Sequence, residues 1–228
     1  MERVLAFDVN ETLLDLKALD PHFERIFGDK AVRVAWFGQF IQSALVATVT
    51  DAYTPFGQIG MAALEMTAAR RGISLDPADK QMIGQTLSSL PPHPEVRAHL
   101  QRLHDAGFRI AALTNSTVAV AEAQLTHAGL RDLFELVLSG DEVQRLKPAP
   151  EPYHMTAQRM GVAVQQVRLV AAHAWDIAGA LRAGCVAAFI ARPGAVLDPL
   201  APRPDIVGND LEAVTDQILA IDGAATPR

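Results

Sequence analysis

Four polar clusters stand out by residue type: Asp8 with Thr12, Thr114 with Asn115, Lys147, and His173 with Asp176. A carboxylate is a weak nucleophile, but one held beside a cation and stripped of water can attack carbon or phosphorus. Lys147 would keep Asp8 ionised, and Asp176 would hold Lys147 in place. Thr12, Thr114 and Asn115 add neutral donors suited to a carboxylate, a phosphate or an oxyanion. Each cluster also has a plain structural explanation. Asp8 can cap a turn, and Thr114-Asn115-Ser116 can open a helix. Lys147, taken alone, reads best as an exposed loop lysine, and Asp176 as the cap of the helix after it. The readings separate only if the fold brings the four clusters together.

The elements that must position them follow from patterning. Val4-Leu5-Ala6-Phe7 is a short apolar run, read as a buried strand ending at Asp8. From about residue 15 to 89 the apolar spacing is mostly helical, with helices predicted over 31–52 and 57–71, the second stopping at Gly72. Asp76 and Pro77 signal a further helix start. Pro91-Pro92-His93-Pro94 reads as a linker. Beyond it helices are predicted over 95–106, 118–128, 151–160 and 176–183. They alternate with strands over 108–113, 134–138, 167–172 and 186–190. Such alternation predicts an α/β fold, a Rossmann-like parallel sheet built from right-handed βαβ units. Residues 1–15 and 91–228 would form this core, and 16–90 a helical cap inserted after the first strand. In a parallel sheet all four clusters fall at the carboxyl ends of strands, where open α/β folds bind ligands.

Composition narrows the function classes. The chain has 228 residues, half of them hydrophobic, and a net charge of −6 with no Lys/Arg block, which argues against nucleic acid as a partner. Cys185 is the single cysteine; in its apolar surroundings it reads as a buried small hydrophobe, and its solitude fits a reducing compartment. With no basic-then-apolar leader and no apolar run judged to approach membrane length, the expectation is a soluble cytoplasmic protein. The stretch 220–228 is expected to fray.

Phe7-Asp8-Val9-Asn10-Glu11-Thr12-Leu13, Leu113-Thr114-Asn115-Ser116, Leu146-Lys147-Pro148 and Trp175-Asp176 resemble, in order, the four motifs of the haloacid dehalogenase superfamily. The spacing from Lys147 to Tyr153 and the run Trp175-Asp176-Ile177-Ala178-Gly179-Ala180 look most like its type II, L-2-haloacid, dehalogenases. The helical insertion with Trp36 and the Tyr53/Phe56 pair looks like their cap. Most of the superfamily are magnesium-dependent phosphatases, with a second Asp where this chain has Asn10 and a metal-binding Asp where it has Ala172. A methyl group offers magnesium no oxygen, so no metal or other cofactor is expected.

The resemblance therefore implies a hydrolase of small 2-haloacids. Asp8 displaces halide from C2 with inversion, and water then hydrolyses the aspartyl ester to a 2-hydroxy acid. Thr114 and Asn115 would hold the substrate carboxylate, and Asp176 would orient Lys147 or the water. Trp36, Phe37 and Trp175 would exclude bulk water, while Asn10, Tyr153 and His173 complete the substrate-binding set. Two departures stand out. Phe37 occupies the place of a halide-receiving Arg, for which Arg33 one turn earlier is a substitute only if it is not simply solvated. Ala171 and His173 replace a Ser and an Asn, and His173 could donate to Asp8 or position a water. The alternatives are a phosphate-ester hydrolase and a retired fold that binds a small anion or a protein. The apolar cap helices leave room for a homodimer.

Overall fold

In the computed structural model, which describes residues 3–223, six strands form one parallel sheet. They are β1 (Val4–Phe7), β2 (Arg109–Thr114), β3 (Leu136–Ser139), β4 (Val167–Ala171), β5 (Val186–Ile190) and β6 (Ile206–Gly208), in the order β3-β2-β1-β4-β5-β6. β1 is central because all four of its residues are buried and apolar, as a strand covered on both faces requires. Alternate side chains face opposite ways: Leu5 and Phe7 join one core cluster, Val4 and Ala6 the other. Phe7 pairs with Ala112 and with Val170, so Asp8, the next residue, emerges between the ends of β2 and β4.

Helices α1 (Asp20–Phe27), α2 (Val32–Val49), α3 (Phe56–Ala69) and α4 (Pro77–Ser88) lie between β1 and the flanking helix α5 (Val96–Asp105). Asp76 caps α4 with Pro77 behind it, and Gly72 takes a positive φ of 66° after α3. Trp36 and Phe40 of α2 and Ile59 and Ala63 of α3 belong to the same apolar cluster as Leu5 and Phe7, so the core runs unbroken from the sheet into these helices. The remaining helices are α6 (Val118–His127), α7 (Pro150–Arg159), α8 (Ala174–Arg182) and α9 (Leu211–Ile221).

Three expectations need correction. α2 is long and apolar enough, by length and composition, to cross a membrane; here it buries Trp36, Phe40 and Ala44 among neighbouring helices. β6 and α9 were not legible: a three-residue strand is too short to show a period. α9 also continues through Ala220 and Ile221, where fraying was expected, while 224–228 lie outside the described residues.

Candidate active site

Asp8 is buried and accepts three hydrogen bonds. Thr12 Oγ1 donates at 2.6 Å and Lys147 Nζ at 2.9 Å, and His173 Nδ1 lies 3.2 Å from Oδ2. Burial pushes the Asp8 carboxyl up, but the Lys147 ammonium, the His173 ring and the Thr12 hydroxyl overcome it and hold it well below the usual carboxylate range. Asp8 is thus an anion at neutral pH. Thr12 is fixed in turn, because its Oγ1 accepts the backbone N–H of Ala172 at 2.9 Å.

Lys147 is 2 % exposed, which overturns the reading of it as a loop lysine at the surface. Its ammonium donates to Asp8 Oδ1, to Asp176 Oδ2 at 2.6 Å and to the Leu113 carbonyl at 2.8 Å, so all three protons are used. Burial alone would lower its pKa; the two carboxylates reverse this and raise it. The loop that delivers Lys147 begins after β3, where Gly140 passes so close to the Arg145 carbonyl that a Cβ would sit 2.5 Å from it. Arg145 pairs with Asp51, and the Tyr53 hydroxyl donates to Asp141, so the loop is tied to the chain around the end of α2.

Asp176 is the third residue of α8, not its cap; His173 stands at that place. Its side chain has no solvent exposure. One oxygen accepts from Lys147, and the other accepts the Tyr153 hydroxyl at 2.6 Å. Burial pushes its carboxyl up; Lys147 pulls it back, and nearby Asp8 adds to the rise. One ammonium therefore serves two carboxylates. Tight packing behind this pair needs Gly179, since a Cβ there would lie 2.7 Å from the Pro148 carbonyl and 2.8 Å from the Tyr153 hydroxyl.

His173 is where the structure adds most. Its Nε2 lies 3.1 Å from Glu11 Oε2, so the ring bridges two carboxylates. Burial pushes the imidazole down, but Asp8 and Glu11 together push it up to about 9. Glu11 was not singled out from the sequence. It sits at φ 60°, a left-handed conformation that costs a side chain about 1–2 kcal/mol, and no local pattern announces this. Arg33 is not a solvated surface residue. It is buried, with Nε 2.5 Å from Asp20 and Nη1 3.4 Å from Glu11, so it reaches Asp8 only through Glu11 and His173.

A cavity of about 20 Å³ opens on Asp8, walled by Asn10, Phe37, Ile41, Phe56, Thr114, Asn115, Lys147, His173 and Trp175. Ile41 and Phe56 join it without having been expected to. Trp175 stacks on the His173 ring at 5.2 Å, and Phe37 covers the ring from α2 at 5.6 Å. Phe37, Ile41, His173 and Trp175 also line an outer cavity of about 510 Å³, so they form the partition between the two.

Five residues expected to bind substrate have structural partners of their own. Trp36 is fully buried among Phe23, Phe37 and Phe40 and donates to the Gly60 carbonyl, so it is core and not cavity wall. Tyr153 is buried behind Asp176 and does not line the cavity. The Asn115 amide clamps the Lys147 backbone, accepting from its N–H at 2.7 Å and donating to its carbonyl at 3.1 Å. Thr114 Oγ1 accepts the Ser116 N–H. Asn10 lines the cavity, with its carbonyl oxygen held by Gln124 and its amide 3.4 Å from Ser116 Oγ.

The donor set does not suit magnesium, which needs near-octahedral oxygen ligands. The ammonium of Lys147 occupies the position between the Asp8 and Asp176 carboxylates, and both oxygens of Asp176 are spent. Ala172 contributes only its backbone. What the arrangement offers instead is an ionised carboxylate between two cations in a small, mostly apolar-walled space. An anionic substrate is drawn toward the cations, and with little water present the electrostatics are strong.

Comparison with known proteins agrees with this chemistry. A haloacid dehalogenase-like hydrolase family model matches residues 2–184. The chain is 28% identical over 223 residues to an (S)-2-haloacid dehalogenase of Pseudomonas sp. (strain YL), covering 97% of this chain and 96% of that one. It is 26% identical over 216 residues to haloacetate dehalogenase H-2 of Moraxella sp. (strain B), covering 94% and 96%. Among solved structures it resembles an L-2-haloacid dehalogenase with TM-score 0.91 and 26% identity, over 95% of this chain and 98% of the other. The L-2-haloacid dehalogenase from Xanthobacter autotrophicus with chloropropionic acid covalently bound gives TM-score 0.89 at 22% identity, over 97% and 100%, a likeness of fold.

Proposed function

This chain belongs to the haloacid dehalogenase-like hydrolase family, and from that premise we propose that it hydrolyses small 2-haloacids to 2-hydroxy acids without a metal. The observation that carries the reading is Asp8, held anionic by Lys147 and His173 on the floor of a cavity with Phe37, Ile41, Phe56 and Trp175 in its walls. A carboxylate Oδ of Asp8 attacks C2, the carbon–halogen bond breaks, and halide leaves with the electron pair. Water then attacks the Asp8 carbonyl carbon, and the ester releases the 2-hydroxy acid.

Lys147 and His173 line the cavity beside Asp8 and are the positive groups that a substrate carboxylate would meet, while the second carboxylate each one serves, Asp176 and Glu11, lies outside the cavity lining. Asn115 serves by fixing the Lys147 backbone, and Tyr153 by fixing Asp176. The narrow cavity suits small acids. Residues 16–90 act as the cap over a core made of 1–15 and 91–228. We read the protein as soluble and cytoplasmic on its composition and its solitary cysteine. Val34, Val46 and Val49 of α2 and Met66 of α3 are exposed and apolar, which fits a homodimer.

The test is halide release from chloro-, bromo- and fluoroacetate and both 2-chloropropionate enantiomers in EDTA, with Asp8→Asn as control. Asp8-dependent release is expected, and a single turnover in ¹⁸O-water should label Asp8 rather than product. Release that survives Asp8→Asn, or label found first in the product, rejects the aspartyl ester. Turnover only of phosphate esters with magnesium would replace this function with the phosphatase one.

A further inference from the structure

We propose that Gln124 is a positioning residue of the active site, one that turns the Asn10 amide so that its N–H groups, and not its oxygen, meet the substrate carboxylate. This rests on the dehalogenase reading and adds a neutral donor to the haloacid site. Several nitrogen donors around the inner cavity are already committed. Lys147 spends its three protons on Asp8, Asp176 and the Leu113 carbonyl. The Asn115 amide clamps the Lys147 backbone through both of its ends, and His173 lies between Asp8 and Glu11. Asn10 differs. It lines the cavity, and its nitrogen meets Ser116 Oγ at a long 3.4 Å. That nitrogen carries two protons, and the contact engages at most one of them.

Which end of the Asn10 amide is offered to a ligand is decided outside the cavity. Leu87 lies in the last turn of α4, where a backbone carbonyl has no acceptor role left within the helix and needs an outside donor. Gln124 of α6 is 1 % exposed, and its Nε2 donates to that carbonyl at 2.6 Å. A carbonyl can only accept, so the Gln124 amide is fixed with its nitrogen toward Leu87. The same nitrogen donates its other proton to Asn10 Oδ1 at 3.2 Å. Asn10 must therefore give its oxygen to Gln124, which leaves its nitrogen for the cavity. The reverse orientation would set two N–H groups against each other and turn an oxygen on an anionic substrate. Every link follows from the one before it, and the first is a backbone carbonyl whose polarity no rotation can change.

Packing alone does not account for this glutamine. Its Oε1 is buried with no hydrogen-bond partner among the described residues, a cost that an apolar side chain of similar size would escape. The nitrogen end earns its place by serving two oxygens, one of them on a residue that lines the cavity. The step on which the Asn10 donor acts follows from charge. The substrate carboxylate is an anion before and during the displacement at C2, so a hydrogen bond to it strengthens binding and leaves the barrier from the bound state nearly unchanged.

Rapid-quench halide release from chloroacetate, followed over the first turnover at a series of concentrations, gives a half-saturating concentration and a limiting rate. The wild type, Asn10→Ala, Gln124→Met and the double variant are compared; Met keeps the length of Gln without its polar ends. Asn10→Ala should raise the half-saturating concentration about 10–100-fold, the range for a hydrogen bond to a charged group, and keep the limiting rate. Gln124→Met should raise it by no more than Asn10→Ala does, and should add nothing in the double variant. Such non-additivity marks a residue that acts through another, and loss of stability alone does not produce it. Effects that multiply in the double variant overturn the proposal, as does an unchanged half-saturating concentration in either single variant. A fall confined to the limiting rate also overturns it, since that would place the amide at the leaving halide. If Gln124→Met does not fold, Asn10→Asp carries the test. Its carboxylate keeps the bond from Gln124 and puts an oxygen where the amide nitrogen stood, so its half-saturating concentration should exceed that of Asn10→Ala; a value at or below it overturns the proposal. No halide from the wild type removes the dehalogenase reading itself, and this assignment with it.

Discussion

Replacing Lys147 by Met isolates the electrostatics of the site, because the side chain keeps its length and loses only its charge and donors. In the wild type one ammonium lies 2.9 Å from Asp8 and 2.6 Å from Asp176, with lysine and Asp176 almost wholly buried. Asp8 retains Thr12 and His173 in the variant, whereas Asp176 retains only the Tyr153 hydroxyl. Breaking a buried pair from one side costs roughly 3–5 kcal/mol. At about 2–4 °C per kcal/mol for a protein of this size, the midpoint of thermal unfolding should fall by roughly 6–20 °C. The loss should also depend on pH in a particular direction. Asp176 already lies above the usual carboxylate range in the wild type, and without Lys147 it rises further. A group whose folded pKa is raised contributes stability below its unfolded value and loses it as pH rises through the folded value. The deficit relative to wild type should therefore widen between pH 5 and pH 8, measured by calorimetry or circular dichroism at several pH values. A deficit below about 1 kcal/mol, in the range of surface pairs, would refute the argument. So would one that is constant or largest at low pH. Halide release should be lost throughout the range.

Removing the Tyr153 hydroxyl with Phe should cost about 1–3 kcal/mol, because a buried carboxylate oxygen of Asp176 loses its donor; urea unfolding at fixed pH measures this, and an unchanged midpoint would mean the oxygen finds another partner. Gly179→Ala should be destabilising by about 1–3 kcal/mol and should lower halide release, since its methyl would press on the Pro148 carbonyl next to Lys147. Gly57→Ala in α3, where a Cβ meets nothing within 4 Å, is the control and should stabilise slightly by helix propensity.

Nucleophile, lysine and second carboxylate could be named before the fold, since each stands at the end of a strand-like run or in the segment that follows one, and a parallel sheet gathers strand ends at one edge. The same logic failed for side chains whose task depends on partners across the chain. Trp36 has the type of a pocket wall yet points between α2 and α3, because helical period says which residues share a face but not what that face meets. Asn115 lies in the expected motif, but its amide answers the backbone 32 residues away at Lys147. Glu11 gave no signal at all: its left-handed backbone and its bond to His173 exist only once the β1 and β4 ends are adjacent.

The sequence by itself therefore determined the alternation of strands and helices, the helix stop at Gly72 and the helix start at Asp76, and the order of Asp8, Lys147 and Asp176 along the chain. These rest on periodicity and turn chemistry, which act between near neighbours. Only the tertiary structure decided that Lys147 serves two carboxylates, that Asp176 is sealed behind Tyr153, and that His173 bridges Asp8 and Glu11. Those outcomes hinge on hydrogen bonds between residues more than twenty, and up to 165, positions apart. Their direction and length are set by how the packed layers meet, and no local pattern carries that information.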